Sequence, residues 1–199
     1  MTKNDFIVPP KSWEDIALLS AQVRKAAGLA SEPYFPIMEF IELVLDNKLN
    51  LVSLEVVAKS EMNAAEGFTY PDGSRIELRE DVYRGAYAGN PRDRFTAAHE
   101  LGHFLMHTNV PLARVELHQI IKPYRSSEAQ ADQFAAEVLM PAEFFTLDDT
   151  VEAIMKRHGT SHAASLRRMK YLSSKMNGAK KRGLSDHSNP LSFSALGKG

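Results

Sequence analysis

The chain has 199 residues, enough for one compact domain with appendages, and 44% hydrophobic and 25% charged residues are typical of a globular protein. Its net charge is −1 and it has no cysteine, which excludes disulfides, thiol nucleophiles and thiolate metal sites. No apolar run has the length of a signal peptide or a membrane helix, so we expect a cytoplasmic protein that does not enter membranes.

The first half of the chain predicts two helices followed by a small sheet. Ser12 is a favoured N-cap residue at the start of an amphipathic helix, and a second helix follows Pro36 and ends near Asn47. Short runs rich in β-branched and aromatic residues then predict strands, two of which flank a turn at Asp72 and Gly73. The predicted strands are residues 51–57, 67–70, 75–78 and 81–88. We expect them to form a mostly antiparallel sheet.

The second half of the chain predicts helices. Asn90 and Pro91 mark a helix start, with a side-chain cap followed by a proline in the first turn. A further helix runs from about Ser127 to Leu139, and a last helical pair covers residues 150–176. Residues 177–199 have little apolar surface to bury, so we expect a flexible tail. The predicted fold class is therefore α+β, with a small sheet packed on helices and a helical C-terminal segment.

His99, Glu100 and His103 form the most informative pattern in the sequence, and they lie inside the helix that begins at Pro91. Residues four apart lie on one helical face, so the two imidazoles can share one metal ion. Glu100 leans toward the same side and is placed to take a proton from a metal-bound water rather than to bind the metal. The alternative is that all three are ordinary solvated residues. Their position in a capped amphipathic helix favours a zinc site.

The third ligand is expected on the next helix, where Glu128 and Asp132 again lie four residues apart. A carboxylate from Glu128 would complete a His₂Glu zinc site and leave the fourth position open for water. Asp132, one turn further on, could hold the outer nitrogen of a ligand histidine. The pattern thus predicts Zn²⁺ as the cofactor, although several divalent metals suit such ligands.

His107 continues the four-residue spacing from His103, but we expect it not to be a ligand. By that position an α-helix has turned by about 80° relative to His99. A few other side chains could polarise a substrate carbonyl, and the sequence assigns that role to none of them: His118, Tyr83, Tyr87 and Tyr124.

Two blocks of this sequence resemble the ImmA/IrrE family of zinc metallo-endopeptidases. They read RFTAAHELGH at residues 94–103 and EAQADQFAAEVLMP at residues 128–141. The resemblance covers about residues 35–145. Members of that family are cytoplasmic enzymes that cut helix-turn-helix transcriptional repressors and thereby derepress phage, mobile-element or stress genes.

Carried over to the matching positions, the resemblance implies an α+β fold with a zincin-like active-site helix. It also implies that His99, His103 and Glu128 bind Zn²⁺ and that Glu100 is the general base. The expected partner is a protein substrate of the helix-turn-helix repressor class.

The chain accordingly divides into a metallopeptidase domain, a basic helical pair and a tail, at residues 1–149, 150–176 and 177–199. Residues 1–152 hold 14 Lys and Arg against 24 Asp and Glu, whereas residues 153–185 hold 9 basic residues and no acidic one. The helical pair has the shape of a helix-turn-helix. We favour its packing behind the active site with its cations toward the acidic body; DNA contact through residues 153–185 is the alternative.

Two functional hypotheses follow from these patterns. In the first, the protein is a zinc endopeptidase, and an exposed strand at residues 81–88 aligns the substrate by strand addition. In the second, it is a regulatory protein that binds DNA or a repressor directly and has a structural or vestigial metal. A filled zinc shell would favour the second hypothesis, and an open position beside Glu100 would favour the first.

Overall fold

The computed structural model describes residues 5–62, 64–114 and 121–181. The N-terminal half contains β1 (Phe6–Ile7), α1 (Trp13–Ala26), α2 (Ile37–Glu39), which continues as a π-helical stretch (Phe40–Lys48), β2 (Ser53–Val57), β3 (Gly67–Thr69), β4 (Arg75–Arg79) and α3 (Glu80–Tyr87). The C-terminal half contains α4 (Pro91–His107), β5 (Ala113–Arg114), α5 (Ser127–Leu139), α6 (Val151–His158) and α7 (His162–Lys181), with short 3₁₀ turns at Pro123–Arg125 and Ala142–Phe144.

Side-chain caps set the starts of the principal helices. The Ser12 hydroxyl accepts the Asp15 amide proton at the start of α1, in a reciprocal capping box. Asn90 Oδ1 accepts the amide protons of Arg92 and Asp93 at the start of α4. These two helix starts are the ones that the sequence predicts.

The main sheet has the strand order β2-β4-β3 and is mixed. β2 runs parallel to β4 over five residue pairs, and β3 runs antiparallel to β4 over three. A separate antiparallel pair joins β1 to β5. The predicted α+β class with a small sheet is confirmed, although the longest strand pairing is parallel.

The predicted strand at residues 81–88 is wrong, because this segment is the helix α3. Its apolar side chains repeat every four residues: Val82 and Ala86 are buried, and the rings of Tyr83 and Tyr87 meet edge to face at 5.1 Å. That spacing places each pair on one helical face. The β-branched and aromatic residues of this segment suggested a strand, but burial of the four-residue stripe decides the structure.

α4 lies at the centre of the fold, between the sheet and α5. β3 and β4 pack on α4, α5 packs on α4, and α1 packs on α5. Gly102 permits the approach of α5, since a Cβ at this position would lie 3.1 Å from the Phe134 ring and 3.2 Å from the Ala131 Cα. The small residues that precede the metal motif, Ala97 and Ala98, are fully buried. The motif is therefore held on a helix that is packed on two sides.

The basic helical pair packs on the rest of the protein through α7. Arg168 donates to both carboxylate oxygens of Glu137 on α5, and its Nε donates to the Met140 carbonyl oxygen at 2.9 Å. Arg168 and Glu137 are both buried, and Leu172 belongs to the hydrophobic core. α7 continues to Lys181, five residues beyond the predicted end of the pair at residue 176. The rest of the predicted tail, residues 182–199, lies outside the described residues.

None of the helices in the described part of the chain combines the length and apolar character that crossing a membrane requires.

Replacement of Arg168 by Met tests whether the basic pair is anchored to the body. The substitution leaves the Glu137 carboxylate buried without its partner, so we expect the free energy of unfolding to fall by about 3–5 kcal/mol. Arg167→Met is the matched control, because the neighbouring Arg167 is exposed. Urea denaturation followed by circular dichroism measures both. Equal losses in the two variants would show that the buried pair does not anchor α7.

Candidate metal centre

α4 carries three histidines on one side, at successive intervals of four residues. The Nε2 atoms of His99 and His103 lie 2.9 Å apart, and their rings meet edge to face with centroids 4.7 Å apart. His99 is only 5% exposed, whereas His103 is partly accessible. The helical spacing thus converts two sequence positions into two converging nitrogen atoms.

α5 adds a carboxylate to these two nitrogens. Glu128 Oε1 lies 3.3 Å from His103 Nε2, and Glu128 Oε2 lies 3.5 Å from His99 Nε2. The three residues together offer ligand atoms that all lie within 4.8 Å of one another. The structure therefore brings together the three residues that the sequence predicts as ligands.

The separations between these ligand atoms suit a zinc ion. A tetrahedral zinc with bonds near 2.0–2.1 Å requires its ligand atoms to lie about 3.3 Å apart. The observed separations of 2.9, 3.3 and 3.5 Å bracket that value. Two imidazoles and one carboxylate are also a donor set that zinc accepts. By spacing and by chemistry, the residues fit the metal.

The Glu128 carboxylate is held in the ionised form that a metal ligand requires. Burial alone would raise its pKa, but the neighbouring His103 and His99 outweigh burial and lower the pKa of Glu128 well below its usual range. Metal binding needs a deprotonated carboxylate. Glu128 would therefore release no proton when a cation binds near neutral pH.

Asp132 makes the contact that the sequence suggests for it. Its Oδ1 lies 2.8 Å from His99 Nδ1. A carboxylate in this position places the ring proton on Nδ1 and leaves the lone pair on Nε2, which faces His103 and Glu128. The contact sets the tautomer that metal binding needs.

Glu100 lies under the strand β3 and is 7% exposed. The Thr69 hydroxyl lies 2.8 Å from Glu100 Oε2 and 2.9 Å from the Glu100 backbone oxygen. A Cβ at Gly67 would lie 2.7 Å from Glu100 Cγ, so only glycine leaves room for this side chain. No local sequence pattern links β3 to α4, so the sequence alone points to neither Thr69 nor Gly67.

The N-terminal segment fixes the start of α5. The Asp5 carboxylate accepts hydrogen bonds from the hydroxyls of Ser126 and Ser127, at 2.8 and 3.1 Å, and from the Glu128 amide at 3.3 Å. A carboxylate at this end of a helix also meets the favourable pole of the helix dipole. Asp5 thus stabilises the helical turn that bears Glu128. The two residues are so far apart in sequence that no local pattern predicts this contact.

His107 lies beside the cluster but is not one of its converging ligands. Its Nδ1 is 2.9 Å from the outer nitrogen of His103, Nδ1, and its Nε2 is 3.0 Å from Gln130 Oε1. Burial is the main cause that lowers the pKa of His107 to about 4, so the ring is neutral near pH 7. This position agrees with the expectation that His107 does not bind the metal.

The other side chains considered for carbonyl polarisation do not join the cluster. Tyr83 and Tyr87 both donate hydrogen bonds to Glu42. Tyr124 is exposed, and its backbone oxygen accepts a hydrogen bond from the Gln130 side chain at 2.8 Å. His118 lies outside the described residues.

Comparison with known protein families identifies a match over most of the site. A peptidase family model, M78, described as the IrrE N-terminal-like domain, matches residues 53–170, which is more than half of the chain. The matched span includes β3, α4 and α5, and extends into α7. Searches of curated proteins and of solved structures found no match.

Metal analysis tests the cluster directly. We expect the purified protein to bind about one zinc per chain, and Glu128→Ala, His99→Ala and His103→Ala each to lose most of it, because each removes one of three ligands. Glu143→Ala is the matched control, since Glu143 is exposed and outside the cluster. Zinc is measured by mass spectrometry after dialysis. An unchanged zinc content in Glu128→Ala would show that Glu128 is not a ligand. The third ligand would then be His107 or another acidic residue in place of Glu128.

Proposed function

This chain belongs to the peptidase family of IrrE N-terminal-like domains, and from that premise we propose that it is a zinc-dependent endopeptidase that cuts a partner protein. The observation that carries the proposal is the convergence of His99, His103 and Glu128. Three protein ligands leave one position of a tetrahedral metal free, which is the arrangement of catalytic rather than structural zinc sites.

The proposed chemistry assigns different roles to neighbouring residues of α4. A bound zinc ion would supply a Lewis acid that polarises the scissile carbonyl and makes water more acidic. The Glu100 carboxylate accepts a proton from the attacking water and passes it to the leaving amine. The Thr69 hydroxyl, 2.8 Å from Glu100 Oε2, holds that carboxylate in place. Asp132 keeps His99 in the tautomer that leaves Nε2 unprotonated.

An extended substrate could pair with β3. In the described part of the chain, β3 pairs on one side with β4, and it lies at the edge of the sheet order β2-β4-β3. Thr69 of this strand contacts Glu100, and Phe68 is 47% exposed. Strand addition here would bring a peptide backbone next to the proposed general base. Residues 81–88, which the sequence favoured for this role, cannot fill it because they form α3.

We propose a helix-turn-helix transcriptional repressor as the substrate, with derepression of phage, mobile-element or stress genes as the result. This class of substrate is supported by the sequence resemblance to ImmA/IrrE endopeptidases. Cytoplasmic action belongs to the same proposal.

The rival function is direct binding of DNA or of a repressor by the basic helices. Lys156, Arg167 and Lys170 are exposed and could contact phosphates. Arg168, in contrast, is occupied by its buried contact with Glu137. The rival function would need no general base, which makes Glu100 the residue that separates the two hypotheses.

Glu100→Gln distinguishes catalysis from binding, because it keeps the size of the side chain and removes the proton acceptor. We expect zinc content to be unchanged and cleavage to fall by a factor of about 100 or more, the usual contribution of general-base catalysis. Glu152→Gln, an exposed glutamate on α6, is the matched control.

The assay incubates the zinc-loaded protein with purified repressors encoded beside its gene and follows cleavage by mass spectrometry, with and without a chelator. Expression of the repressed genes is compared in cells that carry the wild-type protein or Glu100→Gln. Equal derepression in both, with the repressor uncut in both, would establish the binding function instead.

A further inference from the structure

Gln130 is fully buried on α5, and its amide orientation is determined by its neighbours. The Nε2 atom lies 3.0 Å from the Pro9 carbonyl oxygen and 2.8 Å from the Tyr124 carbonyl oxygen. Both partners can only accept hydrogen bonds, so the atom facing them must be the NH₂ group. The amide oxygen of Gln130 therefore faces His107.

This oxygen determines which nitrogen of His107 carries the proton. Gln130 Oε1 lies 3.0 Å from His107 Nε2, and an amide oxygen can only accept. His107 Nε2 must then be the donor. A neutral imidazole carries a single N–H, so His107 Nδ1 presents a lone pair.

The lone pair of His107 determines the tautomer of His103 in the same way. The two Nδ1 atoms lie 2.9 Å apart, and one proton must lie between them. Because His107 Nδ1 is the acceptor, His103 Nδ1 carries that proton. A cation that takes the place of any proton between the two Nε2 atoms then meets the lone pair of His103 Nε2, the atom that lies 3.3 Å from Glu128 Oε1 and 2.9 Å from His99 Nε2.

We propose that Gln130 and His107 are positioning residues that hold His103 in the tautomer and orientation required of a metal ligand. The inference deepens the proposed function, since it rests on the metal role of His103. His99 is oriented by a carboxylate, Asp132, whereas His103 is oriented by a chain of neutral groups that begins at the backbone of Pro9 and Tyr124. Mutation of an outer partner of this kind typically weakens metal binding by about 10–100-fold.

The proposal also explains why His107 is unsuited to be a ligand itself. One of its nitrogens faces Gln130 and the other faces the outer nitrogen of His103. Neither is directed at the nitrogens and carboxylate that converge between α4 and α5. His107, the third histidine of α4, thus affects the metal site only through His103, the second.

Nitrogen NMR of the metal-free protein tests the relay without any dependence on catalysis. Long-range ¹⁵N–¹H spectra distinguish Nδ1–H from Nε2–H histidines. We expect Nδ1 of His103 and Nε2 of His107 to be protonated, and Nδ1 of His107 to be unprotonated, in the wild-type protein. In Gln130→Met, which removes the acceptor, His103 should show a mixture of both forms. A wild-type His103 that carries no proton on Nδ1 would overturn the proposal.

Zinc affinity, measured by competition with a chromogenic chelator, gives the second readout. We expect Gln130→Met to bind zinc about 10–100 times more weakly than the wild type. Gln133→Met is the matched control on the same helix, since Gln133 bonds Glu137 and not the histidines. Wild-type affinity in Gln130→Met, with His103 still in the Nδ1–H form, would show that the relay has no positioning role.

A pair of substitutions at His107 covers the case in which Gln130→Met does not fold. His107→Gln retains an acceptor for His103 and a donor for Gln130, so it should keep most of the zinc affinity, whereas His107→Leu should lose it. Equal affinities in these two variants would contradict the proposal. If the wild-type protein bound no zinc, the proposed function would fail, and the tautomers of the metal-free protein would still decide the relay.

Discussion

The candidate site depends on how closely α5 approaches α4. His99 and His103 converge through helical geometry alone, but Glu128 reaches them only because the two helices touch at Gly102. A side chain at that position would meet the backbone of Ala131 and the ring of Phe134. Close packing of this kind is costly to alter, because protein interiors leave few voids. The ligand separations of about 3 Å are therefore a consequence of core packing as well as of the motif.

Hydrogen bonds then orient the histidines, Glu100 and Gln130 of the site. Asp132 and His107 contact the outer nitrogens of the two histidines, and Thr69 contacts Glu100. The N-terminal segment takes part at two points: Asp5 caps the turn that bears Glu128, and the Pro9 carbonyl oxygen orients Gln130. A segment distant in sequence thus restricts the motion of the ligands, which favours a preorganised metal site.

The sequence is sufficient to predict those parts of the structure that are determined by local interactions. The capped start of α4 and the four-residue spacings depend on neighbouring residues, and α5 begins at Ser127 as expected. The contacts of Thr69 and Asp5 depend on residues 31 and more than 120 positions away, which no local pattern encodes. The strand predicted at α3 is wrong because tyrosine and valine are common in strands, and only tertiary burial decides that this segment is a helix.

Crystallography of the zinc-loaded protein at the zinc absorption edge tests the central claim most directly. We expect one anomalous peak per chain, about 2.0–2.2 Å from Nε2 of His99, Nε2 of His103 and the Glu128 carboxylate, with a solvent oxygen as the fourth ligand. A peak at another location, or a fourth protein ligand that closes the shell, would contradict a catalytic zinc site and favour a structural metal.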